Sequence, residues 1–354
     1  MARRLQTKPE RNARSGALLR LHAMLLTLSV LALAGCWSDA GPTVVVYTAL
    51  DSEFSEPIFD DFTAATGVRV LGKFDTESTK TVGLAQAIMA ESERPRCDVF
   101  WNNEILNTLR LEDRDLLARY DSPAAEAFPP QFRSTRGTWH GFAARARVLI
   151  VNTDLVGAEA RPTSIHDLVD PKWKDKVGVA KPLFGTTASH AAVLFAHWGD
   201  ERAKEYFTQL HNNAQVLSGN KQVALAVARG QLAFGLTDTD DAHIERVAGH
   251  PVAIVYPDQG DDALGTLFIP NTLAIIKGGK NADAARKLVD YLLSPQVEAQ
   301  LAQGRSAQIP LNPQVDAATQ VETPKTIKPM PVDFAAAAAK WDTAATFLAD
   351  LFAQ

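Results

Sequence analysis

Short apolar runs alternate along the chain with segments whose apolar residues recur every three or four positions. Thr43-Val-Val-Val-Tyr47, Val68-Arg-Val-Leu71 and Asp98-Val-Phe-Trp101 are rich in β-branched and aromatic residues and predict buried strands. Between them, Phe54 to Thr66 carries Ile58, Phe59 and Phe62 at helical spacing and stops at Gly67. A loop from Asp75 to Lys80 caps a further helix from Val82 to Glu91. A helix with a leucine-rich face, closed by Leu116-Leu117, completes a βαβαβ block, and that alternation predicts a mostly parallel sheet.

The second half repeats the alternation with one difference. Trp139 to Thr153 is a long strand with Arg145 and Arg147 on one face, long enough to cross between two lobes. Val177 to Ala180, Gln231 to Leu236, Val252 to Tyr256 and Gly265 to Ile276 are further strands. Helices are predicted over Gly185 to Trp198, Ala203 to His211, a segment ending at Arg229, Ala282 to Leu293, Gln296 to Gln303 and Asp342 to Phe352.

Two stretches carry polar chemistry. Gly235-Leu-Thr-Asp-Thr-Asp-Asp-Ala242 ends an apolar run in three carboxylates, Asp238, Asp240 and Asp241. They mutually repel unless water, a cation or donors neutralise them. The stretch is either a solvated acidic loop or a strand end delivering oxygen ligands into a cleft. Gly185-Thr-Thr-Ala-Ser189 opens a helix and is either a plain N-cap or a seat of backbone N–H groups for an anion.

The N-terminus sets the compartment. Six basic residues precede an apolar run from Leu21 to Ala34, which ends in Leu33-Ala-Gly-Cys36. Residues 1–35 thus read as a lipoprotein signal peptide, Cys36 as the lipidated residue that anchors the product at the cell envelope, and 36–42 as a linker. Removing residues 1–35 takes the formal charge from −5 to about −10, which disfavours nucleic acid as a partner. Cys97 then has no intramolecular disulfide partner. No His-Glu-x-x-His, Gly-x-Ser-x-Gly or P-loop pattern is present, so an enzyme is disfavoured.

The order of Val44-Val-Val-Tyr47, Asp98-Val-Phe-Trp101, Arg145-Ala-Arg147, Asp170-Pro-Lys-Trp-Lys-Asp-Lys-Val177 and Ser218-Gly-Asn220, with the helical region from Lys277 to Pro295, resembles the periplasmic ferric-iron-binding proteins. These are solute-binding components of ABC importers. The resemblance spans essentially the whole mature chain. It implies an α/β, two-lobed type II binding-protein fold, each lobe a mixed, mostly parallel sheet flanked by helices, with ligand in the cleft. Residues 43–145 with 265–308 would form one lobe, and 146–264 with 309–354 the other. It also implies a permease and an ATPase as partners, a monomeric state, and no catalytic cofactor.

The family holds ferric iron with a histidine after the first strand, a glutamate after the third and two adjacent tyrosines. By resemblance these slots fall on Asp51, on Asn103 or its neighbour Glu104, and on Asp240 and Asp241. The family's accompanying anion would sit by Gly185, Thr186, Thr187, Asn220 and Arg145. This chain has no tyrosine pair. Asp51, Glu104, Asp240 and Asp241 would instead make a hard, strongly anionic cluster suited to ferric iron or another hard cation. Trp101 and Asn103 stand at the strand end beside the cleft. Arg145 and Arg147 either neutralise the aspartates or bind an anion. An aminophosphonate, a phosphate ester or another small organic solute is the alternative cargo, and a metal-dependent phosphohydrolase the less favoured class.

Overall fold

In β1 (Thr43–Thr48), β2 (Arg69–Phe74) and β3 (Val99–Asn102), the β-branched and aromatic runs form the parallel core of a first sheet, ordered β2-β1-β3. The computed structural model describes residues 41–75 and 81–352. Residues 1–35, read as a signal peptide, and Cys36 lie outside the described residues, as does most of the loop up to Lys80. α1 (Ser52–Thr66) joins β1 to β2, buries Ile58, Phe59 and Phe62, and ends on Gly67 in the left-handed conformation. α2 (Val82–Ala90) joins β2 to β3, and α3 (Leu106–Asp113) follows β3. Leu117–Ala118, read as the tail of that helix, instead forms a two-residue strand, β4. It pairs antiparallel with β10 (Phe268–Ile276), which also lies antiparallel to β3.

β5 (Trp139–Asn152) is the crossing strand, and all fourteen of its residues are buried. Trp139 to Ala146 pair with β10 in the first sheet, whereas Arg147 to Val151 pair with β8 (Phe234–Asp238) in the second. That second sheet adds β6 (Val177–Ala180), β7 (Gln215–Leu217) and β9 (Val252–Val255). β6 runs parallel to β7 and β8, as the sequence predicts for strands joined through helices. The connecting helices are α4 (Gly185–Trp198), α5 (Asp200–Asn213) and α6 (Asn220–Ala228).

Two glycines matter here, one for how close the layers come and one for a turn. A Cβ on Gly235 of β8 would stand 2.5 Å from Val223 Cγ1 of α6 and 2.8 Å from the Gly178 carbonyl of β6. Gly185 has a φ of +57°, which lets the chain turn sharply into α4.

The chain from Thr239 to Val247 forms helix α7, which the sequence pattern did not mark, with Asp240 and Asp241 in its first turn. Acidic side chains are favoured there because the first-turn N–H groups and the helix dipole are positive. α8 (Ala282–Leu292) and α9 (Pro295–Gln303) cover the first sheet. α10 (Phe334–Phe352) joins the helix-favouring alanine run Ala335 to Ala339 to the helix predicted from Asp342 onward. It reaches both lobes, with Asp342 3.1 Å from Arg110 of α3 and Lys340 2.8 Å from Asp200 of α5. No helix among the described residues is long and apolar enough to cross a membrane.

The crossing strand carries a local distortion. Ala143 has a φ of +39°, and the pairing of β5 with β10 shifts register between Pro270 and Asn271. The buried Glu298 carboxylate accepts the N–H groups of Ala143, Leu311 and Asn312 at this point. Glu298→Ala is therefore expected to leave three backbone donors without an acceptor and to cost about 3 kcal/mol, read by urea unfolding. A loss below about 1 kcal/mol would show that water replaces the carboxylate.

Candidate functional site

Residues spaced by two on a strand share a face, so β5 presents both Arg145 and Arg147 to the same side. Both are almost fully buried, at 3% and 1% exposure. Asp238 lies directly opposite Arg147 in the β5–β8 ladder, and Arg147 Nη1 meets Asp238 Oδ1 at 2.7 Å. Arg145 Nη1 is 3.2 Å from Asp240 Oδ2 and 3.9 Å from Asp238 Oδ2. Arg145 Nη2 also donates to the Asn103 carbonyl at the end of β3, so this one side chain touches both lobes.

A second layer of polar groups closes around Asp238. The Thr186 hydroxyl donates to Asp238 Oδ2 at 2.5 Å, and Asn220 Nδ2 donates to the same oxygen at 3.0 Å. Arg147 donates to Thr186 Oγ1, Asn220 Oδ1 and Thr187 Oγ1, each at 3.2 Å. Burial pushes the Asp238 carboxyl up, but Arg147, then Arg145 and the Thr186 hydroxyl, bring it below its ordinary value. Arg145 is likewise held above its ordinary value: burial opposes its charge, but Asp240 and Asp238 outweigh burial.

Arg145, Asp238 and Asp240, with the Thr186, Thr187 and Asn220 side chains, line a cavity of about 160 Å³ between the lobes, and Arg147 lies behind them. Asp51 and Asn103 enter it from the first lobe, with Asp240 and Asp241 from the second. Gly185 lines it as well. The structure therefore brings together most of the residues singled out in the sequence. Two are elsewhere. Glu104 is fully buried and accepts the N–H groups of Leu106 and Asn107 at the start of α3, together with the hydroxyl of Ser189 from α4. It caps a helix and ties the lobes together, and Asn103 takes the cavity position instead. Trp101 is fully buried between Phe59 and Phe142 as part of the core.

The charge differs from the strongly anionic cluster expected. Asp51, Glu53, Asp238, Asp240, Asp241 and Glu245 line the cavity, but so do Arg145, Lys181, Lys221 and Arg305, with Arg147 paired to Asp238. In addition, α4, α6 and α7 start at the cavity wall, and Asp51 precedes α1 there. Each helix start contributes roughly half a positive charge. The cavity is close to charge-balanced, with acidic and basic groups side by side. Asp238 was visible in the sequence as part of the acidic run, but its role needed the ladder register. Lys181 and Lys221 sit next to the two helix starts, whereas nothing local marks Arg305.

One oxygen each of Asp238, Asp240 and Asp241 lie within 4.8 Å of one another, a spacing compatible with a single metal ion.

Two lobes joined by a crossing strand, with a polar cavity between them, define a solute-binding protein. Residues 108–339 match the profile of the bacterial extracellular solute-binding proteins, and the chain belongs to that family. It is 26% identical over 286 residues to iron uptake protein A1 of Synechocystis sp., an alignment covering 76% of this chain and 78% of the relative. Iron-bound HitA from Pseudomonas aeruginosa superposes with a TM-score of 0.80 at 23% identity, over 88% of this chain and 100% of its own. AfuA from Actinobacillus pleuropneumoniae, with fructose-6-phosphate bound, superposes with a TM-score of 0.78 at 23% identity, over 88% and 98%. At that identity the two structures establish the fold.

Two predictions test the electrostatics. Arg147→Met is expected to cost about 3–5 kcal/mol by stranding Asp238, and Asp238→Asn in that background to recover much of it. Additive losses in a double-mutant cycle would show that the pair is not coupled. His190, buried in α4, has its pKa pushed down to about 3 by burial and by Arg147. It stays neutral in the fold while the unfolded chain protonates below pH ~6.5, so stability falls with pH through that range, by about 2 kcal/mol at pH ~5. His190→Gln should flatten that slope in thermal unfolding. An unchanged slope would mean that His190 takes up its proton in the folded state.

Proposed function

We propose that the chain is the capture component of an ABC importer. It takes a hard metal cation, ferric iron first among them, into the interlobe cleft and delivers it to a membrane permease powered by an ATPase. The observation that carries this reading is the clustering of Asp238, Asp240 and Asp241 within 4.8 Å, with Asp51 from the other lobe lining the same cavity. Carboxylate oxygens are hard ligands suited to such ions. A cavity of about 160 Å³ also leaves room for waters to complete the coordination. In this reading the working form is a monomer that binds rather than transforms its cargo, anchored through Cys36.

A second reading rests on Lys181, Lys221 and Arg305 at the same cavity, which suit the phosphate of a small phosphate ester or aminophosphonate. Its hydroxyl or amine groups would then face the aspartates.

Calorimetric titration separates the two. Ferric citrate is expected to bind the wild type, and Asp240→Asn/Asp241→Asn to weaken binding by about 100-fold, the loss of two charged ligands. Lys221→Gln should change metal affinity little. If a sugar phosphate or 2-aminoethylphosphonate binds tightly and Lys221→Gln abolishes it, while ferric citrate does not bind, the second reading stands.

A further inference from the structure

The starts of α4 and α6 look like a place for an oxyanion. Gly185 frees the backbone there, Thr186 and Thr187 add hydroxyls, Asn220 adds an amide, and Arg147 supplies a buried guanidinium. In this structure the donors already have an anion. Asp238 Oδ1 receives Arg147 at 2.7 Å, and Oδ2 receives the Thr186 hydroxyl at 2.5 Å and the Asn220 amide at 3.0 Å. Asp238 is only 2% exposed, and its backbone is fixed opposite Arg147 in the β-ladder. The carboxylate is therefore delivered to that spot by the sheet itself.

We propose that Asp238 is a built-in anion: its carboxylate fills the oxyanion seat formed by Arg147, Thr186 and Asn220, so the cleft captures its cargo without a free oxyanion and excludes inorganic phosphate from that seat. This deepens the cation reading above and rests on it for the identity of the cargo. The electrostatic reason is simple. A phosphate at the two helix starts would compete for donors already engaged and would face a carboxylate of the same sign at close range. Asp238 thereby sets specificity, by closing the cleft's strongest anion seat and adding a third oxygen beside Asp240 and Asp241.

The test uses inorganic phosphate as the probe, with no metal present, so it does not depend on the cargo. Wild-type protein is expected to show no calorimetric binding and no thermal shift with millimolar phosphate. Asp238→Ser removes both the charge and the bulk that fills the seat, and it should gain phosphate binding by at least tenfold, with a dose-dependent rise in Tm. Asp238→Ala, which opens the seat in the same way, is expected to do the same and serves if the serine variant does not fold. Phosphate binding to the wild type as tight as to the variants would overturn the proposal. So would folded variants, with wild-type circular dichroism, that ignore phosphate. A wild type that ignores both phosphate and ferric citrate would sink the metal reading and leave the built-in anion in place.

Discussion

Burying two guanidinium groups on one strand is the constraint around which the centre of this molecule is built. Neither Arg145 nor Arg147 reaches solvent, and an unpaired buried charge would cost several kcal/mol. The sheet answers with Asp238 in register opposite Arg147, and the start of α7 answers with Asp240 beside Arg145. Thr186, Thr187 and Asn220 accept from the Nη groups of Arg147, and Thr186 donates to Asp238, which fixes the starts of α4 and α6 at the cavity. The cavity wall follows from neutralising two charges on the strand that joins the lobes.

That arrangement also explains how the lobes communicate. Arg145 holds the Asn103 carbonyl of one lobe and Asp240 of the other, and Ser189 of α4 donates to Glu104 across the same divide. Glu298 secures the distorted turn of the backbone at Ala143 a short way along β5. Polar contacts of this kind have one good geometry, so they define a particular relation between the lobes more sharply than apolar packing does. The helix starts that face the cavity offset its carboxylates, which lets acidic and basic groups coexist there without a large net field.

Much of this was legible in the chain. The β-branched runs and the crossing strand follow from patterns that hydrophobic burial imposes directly, whereas the antiparallel pairing of β10 shows only in the ladder register. Asp51, Asp240, Asp241 and the Gly185 region stood out because each lies at the end of a strand or the start of a helix, and Arg145 because it shares one face of the long strand with Arg147. Glu104 misled because a carboxylate after a strand reads equally as a ligand or as a helix cap, and only the position of the α3 amides decides. Helix α7 was hidden because its charged first turn looks like a loop until the dipole that favours it is counted. The near balance of charge was hidden for a different reason. It depends on Lys181, Lys221 and Arg305, which come together only through the tertiary fold.

In the proposed function, carboxylates from two lobes hold a cation while a protein carboxylate stands in for its accompanying anion. Native mass spectrometry with elemental analysis, applied to protein isolated from its own cell envelope without added ligand, tests this most directly. One metal ion per chain and no phosphorus is the expected result. A stoichiometric phosphate ester or phosphonate, with no metal, would contradict it.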